Sequence, residues 1–246
     1  MKRILFSLSV LLLAASCSNT YKVLPFGGMN GKVESVITTH IMPEVWQAGR
    51  KKTDVMYTNS LAYDPFGNEI CSELRDSTGK VQIETENIFQ NGICVLSTQT
   101  SENMISSQIR FVEKKGRTMK YISRSDGKSC HMDVRERSLG RSSRSAVSED
   151  GKVVSISVIR TDMDGYPVSV RITDRETGVT TVEKNTYDGK HNIIEKHSTS
   201  SDSQKEEITY TDYLNFDENG NWTEARTYNK YRLPVEILVR EIKYWN

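Results

Sequence analysis

The sequence predicts an all-β fold: an antiparallel meander of repeated hairpins, forming an open, strongly twisted sheet or a partial barrel. Three observations predict it. Glycine-centred turns recur along the 246 residues, many of them 11 to 14 residues apart. Between the turns, apolar and polar side chains alternate with period two, as in a strand with one wet face. No long stretch carries the 3.6-residue apolar period of an amphipathic helix.

The N-terminus stands apart from this pattern. Lys2 and Arg3 precede an apolar run, Ile4 to Ala15, relieved only by Ser7 and Ser9. That run is shorter than the about 20 apolar residues a membrane-crossing helix needs, and it suits the core of an export signal. Ala14, Ala15 and Ser16 then lead into Cys17. This resembles the lipoprotein box, with Ala14 where the family prefers Leu. The resemblance implies that residues 1–16 are a removed signal peptide and that Cys17 carries lipid (palmitate among its chains), which holds the mature chain to a membrane without spanning it. Ser18, rather than Asp, after the cysteine implies the outer membrane by the enteric rule. Export without lipidation, leaving Cys17 a plain thiol, is the competing reading. Residues 17–30, with Pro25 and Gly27-Gly28, read as a lipidated tether.

From residue 31 to 246 the strand-and-turn rhythm is continuous. Turns fall at Asn30-Gly31, Gly67-Asn68, Gly79-Lys80, Asn91-Gly92, Asp164-Gly165, Asp188-Gly189 and Gly220-Asn221, among others. Asn-Gly and Asp-Gly supply the positive φ angles that tight hairpins demand. Residues 153–159 are a β-branched run; Val168, Val170 and Ile172 alternate with Ser169, Arg171 and Thr173. Residues 206–216 are rich in Thr and Tyr, which strands prefer, and Pro234 marks entry to a last strand ending near Trp245. Two stretches depart from the rhythm. Residues 41–50 suggest one helical turn, started by Pro43 and stopped by Gly49. Residues 132–148 lack periodicity and read as a long loop or irregular edge, so a subdivision near 135–149 is the candidate domain boundary.

Tyr63-Asp64-Pro65-Phe66-Gly67-Asn68 and Phe216-Asp217-Glu218-Asn219-Gly220-Asn221 share the pattern aromatic-Asp-x-x-Gly-Asn, and Tyr187-Asp188-Gly189 is a shortened copy. The pattern is similar to the YD (RHS-type) repeat and to β-rich lipoproteins of Bacteroidetes. The resemblance implies hairpins in which Asp caps the turn and Gly takes the left-handed position; it carries no catalytic residue with it.

Composition narrows the function. Net charge is +1, which gives no electrostatic footprint for nucleic acid. With the 15 glycines counted, the apolar share stays below the usual ~45–50%, so the core is modest. Besides Cys17 there are Cys71, Cys94 and Cys130. Cys71 and Cys94 lie in successive β-like segments and could form a disulfide after export, with an odd thiol left over. No CxxC or HExxH occurs, so neither a metal nor another cofactor is expected. Asp162-x-Asp164-Gly165 begins like a calcium loop, but Thr173 stands where the closing glutamate belongs; it reads as a hairpin turn. His131 and Asp133 could share a strand face, and Cys130 next to His131 would face the opposite way. No catalytic serine motif is present. Tyr213, Trp222, Tyr228, Tyr231 and Trp245 crowd into the C-terminal region, where an exposed row would make a binding surface and a buried one would supply core bulk. The expectation is a non-enzymatic binding or structural lipoprotein of the outer membrane, holding a glycan, a lipid or an envelope protein. The alternatives are a carrier of apolar cargo and an envelope-polymer hydrolase.

Overall fold

The structure, a computed structural model, describes residues 25–43, 55–125, 128–137, 141–148, 152–203 and 206–246. The signal peptide, Cys17 and most of the expected helical turn lie outside them. After a short 3₁₀ turn at Pro25–Gly28, sixteen strands follow in chain order: β1 Val33–Ile41, β2 Val55–Tyr63, β3 Glu69–Asp76, β4 Val81–Gln90, β5 Ile93–Ser101, β6 Met104–Lys115, β7 Thr118–Ser125 and β8 Lys128–Arg137; then β9 Arg141–Ser148, β10 Val153–Thr161, β11 Pro167–Asp174, β12 Thr180–Tyr187, β13 Ile193–Ser200, β14 Glu206–Phe216, β15 Trp222–Asn229 and β16 Pro234–Tyr244. Each pairs antiparallel with its neighbours in sequence, the meander that the turn spacing predicts.

Of the two expected forms, open sheet and partial barrel, the edges take the barrel and complete it. Strands β1 and β16 pair from Val33↔Tyr244 to Ile41↔Ile237, while β1 also pairs β2, so the sheet closes into a barrel. Closure satisfies two edge rows of N–H and C=O groups that an open sheet would leave as a template for aggregation. Residues 132–148 are also corrected. They contribute to β8 and β9, which pair from Cys130↔Ser148 to Arg137↔Arg141, and β9 pairs β10 in turn. Their backbone completes the ring, and Met132 and Val134 of β8 are buried on its inner face.

Six turns share one hydrogen-bonded design. At Asp64, Asp76, Asp162, Asp188, Asp217 and Asn229, the backbone carbonyl accepts from the N–H three residues on, and the backbone N–H donates to the carbonyl four residues on. The side-chain oxygen accepts from the backbone N–H two and four residues on, for example Asn219 at 3.0 Å and Asn221 at 2.9 Å on Asp217 Oδ1. The position three residues on is left-handed: Gly67, Gly79, Gly165 and Gly220, with His191 (φ 62) and Arg232 (φ 60) in the other two. The aromatic-Asp-x-x-Gly-Asn string is thus a turn whose carboxylate replaces missing ladder partners; both copies lie at the rim where β1 begins, and the same design at Asp76 and Asn229 caps turns at the opposite rim.

Part of the expected tether is tied down. Phe26 is buried and packs edge-on against Tyr63 with ring centroids 6.0 Å apart. Its N–H donates to Gly67 O, and Trp245 N–H donates to Lys32 O. Asn221 receives Asn30 N–H at 2.7 Å and donates back to Asn30 O at 2.9 Å. Residues 25–32 therefore form a strap over the near rim, where the barrel's first and last strands meet.

Candidate functional site: the inner face of the barrel

The register assigns every strand residue to one of two faces. Val36, Thr38 and His40 lie opposite Ile242, Arg240 and Leu238 on one side and Leu61, Asn59 and Tyr57 on the other. Followed around the ring, this face carries the buried polar strand residues among those described: Thr85, Asn87, Ser97, Ser107, Ser123, Ser155, Ser157 and Asn185. It is the interior. The buried strand residues on the other face are Ile41 and Ile237, which pair with each other. The inner wall is thus built over much of its height from hydroxyls and amides.

The near rim is where the interior becomes apolar. Cys94, Ile109, Met119, Tyr121, Met132 and Val134 form one cluster on β5–β8. Phe26, Val33, Val36 and Tyr63 form a second beneath the strap. Between them in the ring stand Tyr213 and Trp222, with centroids 5.4 Å apart. Tyr213 donates its hydroxyl to Ile193 O at 3.0 Å, and burial pushes its pKa up to about 12. Burial likewise raises the Tyr63 phenol, helped by nearby Glu69, and keeps Glu69 above the ordinary carboxylate range.

Two titratable pairs stand on the inner wall. Lys196 meets Glu183 at 2.7 Å. His40 Nδ1 lies 2.7 Å from Glu236 Oε1 and stacks on Tyr57 at 4.0 Å. Burial raises the Tyr57 phenol, and the adjacent Glu236 carboxylate adds to the rise. Arg240 is different. Its guanidinium carbon sits 3.5 Å over the Trp222 ring, its buried Nε has no hydrogen-bond partner, and burial pulls its pKa down to about 10.

The outer face is charged along its length. Glu73 lies opposite Glu84; Arg171 lies opposite Val158 and Val182; Lys184 lies opposite His197; Asp212 lies opposite Arg226. In a lipid-facing belt each basic side chain at mid-depth would cost about 2–4 kcal/mol. Among the described residues no helix is long and apolar enough to cross a membrane. An open hollow of about 530 Å³, lined by Ile88, Gln90, Val95, Leu96, Gln108, Arg110 and Phe111, lies along β4–β6.

The aromatic surface expected from sequence does not converge. Tyr213 and Trp222 are inside at the near rim. Tyr228 faces outward, opposite Tyr210 on β14. Tyr231 is 72% exposed on a far-rim turn, and Trp245 lies at the near rim beyond β16. The Cys71–Cys94 disulfide is not formed; Cys71, Cys94 and Cys130 are free. Cys71 faces outward opposite Ala62 and Glu86, Cys94 faces inward, and β4 runs between their strands. Cys130, opposite inward Ser123, and His131, opposite outward Ile122, point to opposite faces as alternation requires. Asp162 caps a hairpin turn, as read. Among the described residues no group of three or more His, Cys, Asp or Glu could hold a metal ion. Arg240 was missed. Its signal was parity: in the last strand it shares a phase with Leu238, Ile242 and Tyr244, an arginine where the pattern asks for an apolar residue.

No protein-family model matches the chain, and no curated protein matches it. Among solved structures it is similar to a porin-like protein from Bacteroides uniformis ATCC 8492, with 10% identity, 87% of this chain and 99% of that chain covered, and a TM-score of 0.55. A porin-like protein from Bacteroides vulgatus ATCC 8482 matches with 10% identity over 87% of this chain and 98% of that one, at a TM-score of 0.38. The first likeness is one of fold; the second is too distant in shape to add to it.

Proposed function

We propose that this chain is a non-enzymatic binding protein of the bacterial outer envelope, held to the membrane by lipid on Cys17, whose barrel interior receives a hydrophilic ligand. The observation that carries the reading is the division of faces. The interior is lined by Ser, Thr and Asn, and the exterior bears Glu73, Glu84, Arg171 and Lys184. A carrier of apolar cargo needs the reverse lining, a cavity of Val, Ile and Phe. A barrel that crosses lipid needs an apolar outer band. A polar-lined barrel with a charged exterior suits a water-filled compartment, and a lipidated cysteine keeps it at the membrane. The porin-like protein of similar fold supports the envelope as its setting.

The test uses the full chain with Cys17→Ala beside the unaltered protein, in a host that processes lipoproteins. The unaltered chain should take up labelled palmitate and sediment with membranes. The variant should take up none and be recovered, folded, in the soluble fraction. A variant that stays integral to the membrane would mean that the strands themselves cross the lipid, and the proposal would fail.

A further inference from the structure

Among the described side chains of the inner wall, Arg240 is a cation with no carboxylate partner. Arg240 projects from β16 between Thr38 and the Trp222 ring. The side chain is partly withdrawn from water and stacked on the ring, a contact that offers a guanidinium about 1–2 kcal/mol. Its Nε is buried without a hydrogen-bond partner. The nearby acid-capable groups do not supply the charge. Tyr63 and Tyr213, the phenols whose field reaches the guanidinium, are held neutral by burial. By contrast, Lys196 on the same inner face meets Glu183 at 2.7 Å.

We infer that Arg240 is the anchor of an oxyanion-binding site inside the barrel, and that the hydrophilic ligand is a small hydroxyl-bearing molecule with a carboxylate or sulfate group, of the acidic-sugar class. The inference rests on the polar-interior reading above and deepens it. Trp222 holds the guanidinium plane from one side, so its donor edge is preset for a bidentate oxyanion. Thr38 lies directly opposite Arg240, and Asn59 lies opposite Thr38 on the next strand, so a hydroxyl and an amide share this stretch of the wall.

The experiment is isothermal titration of the full-length protein in detergent with D-glucuronate, D-glucose and sodium sulfate, at ionic strength held constant with sodium chloride. Arg240→Met is titrated in parallel. It keeps the side-chain volume and removes a buried charge, a change that commonly leaves stability intact or improves it, and its melting transition verifies folding. Saturable glucuronate binding that weakens at least tenfold in Arg240→Met, with glucose clearly weaker, supports the site. Sulfate competing with glucuronate supports it as well and assigns the recognition to the oxyanion. Glucose and glucuronate binding equally, with Arg240→Met unchanged, would overturn the anion site while leaving the hydrophilic-ligand reading standing. No binding of any probe to the folded protein would overturn both.

Discussion

At the scale of single residues, the molecule is built on one repeated device. An Asp or Asn side chain accepts from the backbone N–H groups two and four residues on, and the residue between them, three on, goes left-handed. Asp217 also accepts from the Tyr244 hydroxyl, which ties the turn to the closing strand. Asp217→Ala should therefore destabilise the protein by about 1–3 kcal/mol, the range for losing charge-assisted hydrogen bonds. Urea unfolding reads the change, and a loss within ±0.3 kcal/mol, the scale of an ordinary surface substitution, would refute the role. Glycine positions separate two costs. At Gly79 an added Cβ meets nothing within 4 Å, and only its φ of +86° opposes alanine; the expected cost is about 1–2 kcal/mol. At Gly27 (φ +64°) the same atom would lie 2.8 Å from the Tyr63 hydroxyl. Gly27→Ala should cost more than Gly79→Ala and loosen the strap. Equal costs would show that the strap yields freely.

At the scale of elements, strand and turn were legible and the reason is local. Glycine-bearing Asp turns and β-branched alternation are properties of a few adjacent residues, so β10, β11 and the hairpins at Asp64 and Asp217 could be read directly. The pair β8–β9 could not. Its Ser- and Arg-rich stretch offers no apolar period, and it is drawn into the ring by backbone hydrogen bonds to β7 and β10 on either side. Ion pairs on the outer face follow pairing too. His197 on β13 lies 2.6 Å from Glu195 and 3.3 Å from Glu206 of β14, and these contacts raise its pKa above 6.5, the Glu195 hydrogen bond foremost. A raised folded-state pKa means that the stabilisation is fully present below the unfolded value near 6.5 and is lost as pH rises through the folded value. A proton NMR titration should place the His197 midpoint above 6.5, and Glu206→Gln should lower it. A midpoint at or below 6.5 in the unaltered chain would mean that the contact is not held in solution.

At the scale of the whole molecule, closure was the feature that local pattern could not carry. Alternation says which residues share a face, but the meeting of Val36 with Ile242 joins opposite ends of the chain and depends on strand number, tilt and stagger together. The candidate site shared this blindness. Tyr213 and Trp222 were visible as aromatics, but whether they faced in or out depended on how the ring closed. Arg240 could be flagged by parity, yet its lack of a counter-charge emerges only when the neighbouring strands are in place. The two faces then follow: Ser, Thr and Asn inside, Glu, Arg and Lys outside.

That division is tested most directly by spin labels on outward mid-strand positions, Thr98 and Arg171, in the full-length lipidated protein bound to liposomes. The account predicts that a water-soluble nickel relaxation agent reaches both labels and that dissolved oxygen has no advantage. Labels shielded from nickel and favoured by oxygen would place those strands in the hydrocarbon, and the reading of a tethered barrel standing in water would be contradicted.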